Sequence, residues 1–115
     1  MTNKNNEFST PKEFKELLSQ FIPLNDKKYI VLAREAIKLA RSYPEYRKGI
    51  MATMNDLTSE VGIKNSKHYW ELSDLGTEFG TFDYRDDISE NDLDYLENFT
   101  NEIEEKLRTS KQFTF

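Results

Sequence analysis

The stretch "SKHYWELSDLGTEFGTFDY", residues 66–84, decides the fold class, because its aromatic, Thr-containing pattern around Gly76 departs from that of the rest of the chain. Trp70 and Leu72 alternate with Tyr69, Glu71 and Ser73, and Phe82 and Tyr84 alternate with Thr81 and Asp83. Alternation with aromatic and Thr residues on either side of a glycine is a strand-turn-strand signal. It predicts a β-hairpin over 67–73 and 78–84, turning near "SDLG". A lone hairpin is marginal in water, so one face must pack on the rest of the chain. Trp70 and Phe82 are the expected anchors.

The segments before this stretch carry the helical period. In "STPKEFKELLSQF" Thr10 is the expected N-cap, Pro11 the first helical residue and Glu13 the return partner of a capping box. Phe14, Leu17, Leu18 and Phe21 fall on one face, and Pro23 ends the helix. A second helix, capped by Asn25 or Asp26, buries Tyr29, Ile30, Leu32, Ala33, Ala36, Ile37 and Ala40. So wide an apolar stripe, which Val31 widens further, places it centrally, with a basic remainder of Lys27, Lys28, Arg34, Lys38 and Arg41. Pro44 opens a third helix whose apolar residues are Tyr46, Ile50, Met54, Leu57 and Val61, with Gly62 as its left-handed terminus.

After the stretch, Ser89 caps a last helix whose stripe is Leu93, Leu96, Phe99 or Thr100, Ile103 and Leu107. Its acids come first and its bases last, the order that the helix dipole favours. The expected architecture is one α+β domain: three N-terminal helices, a β-hairpin and a C-terminal helix. Residues 1–8 and 110–115 are expected to lie loosely at its ends.

With 115 residues and 15 aromatic ones among them, the chain can bury a core without metals or disulfides. It has no cysteine, which excludes thiol chemistry. No apolar run has the length of a membrane span, and "MTNKNNEF" has no signal-peptide core. A cytoplasmic protein is the expectation. The net charge of −5 is unevenly spread: residues 1–70 carry +4 and residues 71–106 carry −11. Such segregation marks a candidate partner surface.

Familiar site chemistries fit poorly. A calcium loop starting at Asp87 has Ser89 and Asn91 in place, but Asp92 stands where Gly is needed and Asn98 where Glu is needed. One histidine, His68, cannot supply a structural zinc site or, with no nucleophile near it in sequence, a catalytic centre. The element "EEK" at 104–106 has a nuclease-like spacing but no acidic strand before it, and "GTEFG" at 76–80 is too short for a phosphate loop. No cofactor and no enzymatic activity are expected.

"LTSEVGIKNSKHYWEL", residues 57–72, resembles a helix-turn-helix, with Val61, Gly62 and Ile63 as the turn. The resemblance implies a DNA-binding regulator in which Lys64, Asn65, Lys67 and His68 face the groove and a hairpin follows as a wing. His68 and Glu71 stand where the pattern needs apolar residues, and the chain is acidic, against the basic excess that phosphate contacts demand.

The remaining candidate is the acidic segment "DYRDDISENDLDYLEN", residues 83–98. Its carboxylates could stand in for duplex phosphates and occupy the basic groove of a nucleic-acid-processing enzyme. The expected function is thus a non-enzymatic inhibitor acting on a host-defence protein, with Asp83, Asp86, Asp87, Glu90, Asp94 and Glu97 supplying charge. Tyr84 and Tyr95 are the expected aromatic contacts. A toxin-immunity protein is the other expectation for a small acidic chain of this type.

Overall fold

The computed structural model describes residues 10–83, 85 and 87–109, and all of its regular elements are helices. They are α1 (Lys12–Phe21), α2 (Asp26–Ser42), α3 (Arg47–Asp56), α4 (Val61–Lys64), α5 (Tyr69–Asp83) and α6 (Glu90–Thr109). One-turn 3₁₀ segments at Pro44–Tyr46 and Leu57–Ser59 lead into α3 and out of it. Among the described residues there is no strand, so the expected α+β fold is replaced by an all-helical one.

The expected hairpin is α5. The alternation that predicted strands extends over only five residues at one end of the stretch (69–73) and four at the other (81–84). Leu72, Leu75, Phe79 and Phe82, at spacings of three, four and three, form a continuous helical stripe, and all four are buried. Gly76 and Gly80, one turn apart, let this helix approach its neighbours closely. A Cβ on Gly76 would lie 2.4 Å from Thr58 Cγ2, and one on Gly80 would lie 2.8 Å from Asn55 Cγ. The glycine read as a turn signal is therefore a packing surface. Phe82 is a core residue as expected, but Trp70 is 74% exposed and anchors nothing in the core.

Helix α2 runs through the centre, packed against α1, α3 and α6. Seven of its expected apolar residues are buried, whereas Val31 is 47% exposed, and Asn25 caps it by accepting a bond from the Lys28 N–H at 2.9 Å. The Tyr29 hydroxyl crosses the core to donate to the Met54 carbonyl at 2.7 Å, which ties α2 to α3. Burial pushes the Tyr29 phenol far above its ordinary pKa.

Two local expectations also change. Helix α1 begins after Pro11, whose own carbonyl accepts from Phe14 and Lys15, and no side chain caps it. Glu13 instead accepts from the Tyr43 hydroxyl at 2.5 Å, a bond that holds its carboxyl below the usual range. The third helix breaks after Asp56, and Gly62 lies inside α4 without a left-handed conformation. Gly62 is needed there for proximity, because an added Cβ would lie 1.8 Å from the Leu24 carbonyl oxygen. The Glu60 carboxylate fastens the same junction by accepting from the Gly62 and Leu24 N–H groups.

Candidate functional site: the acidic face of α5 and α6

Helix α6 starts with a reciprocal cap. Ser89 Oγ accepts from the Asp92 N–H at 3.2 Å, and an Asp92 carboxylate oxygen accepts from the Ser89 N–H at 2.9 Å. Leu93, Leu96, Thr100, Ile103 and Leu107 form its buried stripe, and the Thr100 hydroxyl is satisfied by the Leu96 carbonyl. The polar circumference that remains is divided into two edges with different partners.

One edge faces the basic side of α2. Arg41 donates to Glu90 at 2.8 Å, to Asp94 at 2.9 Å and to Glu97 at 2.8 Å. Arg47, only 11% exposed in its side chain, donates to Glu90 at 2.7 Å and to the Ile88 and Ala40 carbonyls. Farther along, Arg34 binds Asn101 and Glu104, and Arg108 joins Glu104 at 3.1 Å. Burial pushes the Glu104 carboxyl up, but the Arg34 and Arg108 bonds and charges outweigh it and hold that group below its ordinary value. The hydrogen bond to Asp94 in turn raises Arg41, against a smaller opposing effect of burial. Glu90, Asp94 and Glu97 thus have an internal role: they clamp α6 onto α2.

The other edge faces α5 and is aromatic. Phe82, Tyr95 and Phe99 form an edge-to-face ladder, with ring centroids 6.0 Å and 6.2 Å apart. Tyr95 is 48% exposed, and its hydroxyl donates to Glu78 of α5 at 2.9 Å. That bond, together with the charges of Glu78 and Glu102, raises the Tyr95 phenol. At one end of the ladder the Arg85 guanidinium lies 5.4 Å from the Phe82 ring centre and 3.5 Å from Asp92. Asp74, Asp87, Glu102 and Glu105 are exposed and make no ion pair with another described residue.

The structure therefore separates the expected acidic residues. Glu90, Asp94 and Glu97 lie together on the α2 edge, Tyr95 stands on the α5 edge, Asp83 ends α5, and Asp87 lies between α5 and α6. Tyr84 and Asp86 fall outside the described residues, as do 1–8 and 110–115. Sequence reasoning missed Asp74, Glu78 and Glu102. The helical period of α5 was the available signal, since it sets Trp70, Asp74 and Glu78 four residues apart on one face.

The residues of the helix-turn-helix resemblance form a tight corner. Lys64 ends α4, Asn65 is its C-cap, and Lys67 and His68 belong to the turn before α5. Lys64, Asn65 and Lys67 are exposed, whereas His68 is only 5% exposed, 3.9 Å from Glu71. Among the described residues no three His, Asp or Glu side chains are arranged so that they could hold a metal ion, and no helix is long and apolar enough to cross a membrane. Open grooves of about 470 Å³ and 390 Å³ lie between α2 and α6 and between α1 and α2, and neither is lined by Tyr95 or Trp70. Comparison with protein-family models, curated proteins and solved structures finds no match.

Proposed function

We propose that this protein is a non-enzymatic, intracellular inhibitor that captures a basic-surfaced protein through the outer face of α5 and α6. The observation that carries the reading is Tyr95, a half-exposed ring in an aromatic ladder bordered by Glu78, Glu102 and Asp92. Exposed tyrosine within a charged rim is the composition of an interaction surface rather than of a solvated helix. Asp74, Asp87, Glu102 and Glu105, exposed and outside the internal ion pairs, support a partner whose own surface is basic, such as the groove of a nucleic-acid-processing enzyme of a host defence system.

The test compares the parent with a variant carrying Asp74→Lys, Asp87→Lys, Glu102→Lys and Glu105→Lys. These four positions hold no internal ion pair, so circular dichroism and melting should be close to those of the parent. Capture from nuclease-treated lysate, read by mass spectrometry, should give the parent a discrete nucleic-acid-binding protein that the variant loses. Equal capture by both would defeat the proposal. Capture abolished by nuclease, and by Lys64→Ala with Lys67→Ala, would assign the protein to nucleic acid instead.

A further inference from the structure

Trp70 and Tyr95 are the two most exposed aromatic rings among the described residues, and α5 connects them. Trp70, Asp74 and Glu78 lie one turn apart along a single face, and Glu78 accepts the Tyr95 hydroxyl. At about 1.5 Å per residue, Trp70 and Glu78 are about 12 Å apart along the axis. The result is a strip with a ring at each end, Asp74 and Glu78 between them, and Glu102 two turns beyond Tyr95 on α6. Both rings are exposed and neither lines one of the two open grooves, so the strip suits side chains that stack on it rather than a ligand that enters a cleft.

The molecule already contains one example of the contact that this surface offers. Arg85 places its guanidinium over Phe82 beside the Asp92 carboxylate. A planar, weakly hydrated guanidinium gains from an aromatic face and a carboxylate together, more than an ammonium does. We propose that the strip from Trp70 to Tyr95 recognises arginine side chains of the partner, one stacking on each ring and bonding to Asp74, Glu78 or Glu102. This inference rests on the acidic-face reading above and adds the chemistry of the partner. A second copy of the chain is a poor source of those arginines. All five, Arg34, Arg41, Arg47, Arg85 and Arg108, are already paired with carboxylates. Nucleic acid is disfavoured by the carboxylates beside the rings.

Trp70 is the single tryptophan, so its emission reports on the strip directly. The probe is a blocked helical peptide with two arginines two turns apart on one face. Titration should change Trp70 emission saturably, and replacing both arginines by lysine should weaken binding several-fold. Tyr95→Leu should weaken the arginine peptide by about twofold to fivefold. Tyr95→Phe should keep most of the affinity, and Asp74→Asn with Glu102→Gln should lower it for both peptides. Equal binding of the arginine and lysine peptides would overturn arginine recognition and leave the acidic-face reading standing. Failure of both peptides, with a glutamate peptide no different, would overturn both. Tighter binding of a single-stranded oligonucleotide, or self-association abolished by Trp70→Ala, would also overturn the inference by assigning the strip to another occupant.

Discussion

Replacing Gly76 by alanine tests the packing that makes residues 69–83 a helix. In an open helix this change would stabilise by about 0.8–1 kcal/mol through propensity. Here the new methyl would lie 2.4 Å from Thr58 Cγ2 and 3.2 Å from the Tyr29 hydroxyl oxygen. Thr58 is held by its own bond to the Asn55 carbonyl at 2.8 Å, and Tyr29 by its bond to the Met54 carbonyl. Neither neighbour yields freely, and overpacking of this kind costs about 1–3 kcal/mol. The expected net effect is about 1 kcal/mol of destabilisation, a Tm drop of about 4 °C for a domain of this size. Thr58→Ser keeps the hydroxyl and removes the obstructing methyl, so Gly76→Ala in that background should be close to neutral. Urea unfolding of the four proteins in the cycle measures the coupling, expected to exceed the ~0.5 kcal/mol scatter of independent sites. Additive effects, or stabilisation by Gly76→Ala in the parent, would refute the close approach of α5. Gly80→Ala is the milder contrast: its methyl would lie 2.8 Å from Asn55 Cγ, so the Asn55 amide has to shift, and the loss should be smaller than at Gly76, where two hydrogen-bonded neighbours obstruct.

Arg41→Gln should remove the contacts to Glu90, Asp94 and Glu97, costing about 1 kcal/mol by the usual worth of exposed pairs, and the loss should shrink as salt is raised. Glu104 contributes with a definite sign. Its folded pKa lies below the unfolded one, so its stabilisation is complete above the ordinary carboxylate range and is lost as pH falls through the depressed folded value. Arg34→Gln should therefore raise the Glu104 midpoint in an NMR titration and flatten the acid dependence of unfolding. Tyr29→Phe should cost about 1–2 kcal/mol by removing the donor to the Met54 carbonyl, as measured by urea unfolding. Because burial keeps that phenol neutral, this loss should be the same at neutral and mildly alkaline pH.

The readable parts of this chain were those in which one face meets the core at a single period. The Asn25 cap, the seven buried residues of α2, and the Ser89 cap and stripe of α6 are visible in the sequence and are found. Residues 66–84 misled because aromatic side chains and two glycines are strand and turn signals only while their packing is unknown. Gly76 and Gly80 exist for contact with Thr58 and Asn55, residues some twenty positions away that no local pattern reveals. The same long-range origin hides Gly62 against Leu24, and it hides which acidic residues are already paired. Glu90, Asp94 and Glu97 look available in sequence because Arg41 lies about fifty residues before them.

That hidden pairing changes what a charge-reversal experiment means. Reversing Glu90 and Asp94 to lysine would set new cations against Arg41 and Arg47, with Arg47 largely buried. Lost binding would then report a loosened α2–α6 contact as readily as a lost interface. The internal clamp also accounts for much of the charge asymmetry on structural grounds, since the basic edge of α2 and the first acids of α6 neutralise one another. What the fold leaves unneutralised is the α5 side, where Asp74 and Glu102 are exposed near Trp70 and Tyr95. Two large rings stay in water there although the same helices bury Phe79 and Phe82, and burial of such rings is worth more than a solvated face returns. Charge alone would make residues 83–98 the place to look, whereas charge together with exposed aromatic area moves the proposed site to the outer strip of α5 and its seam with α6.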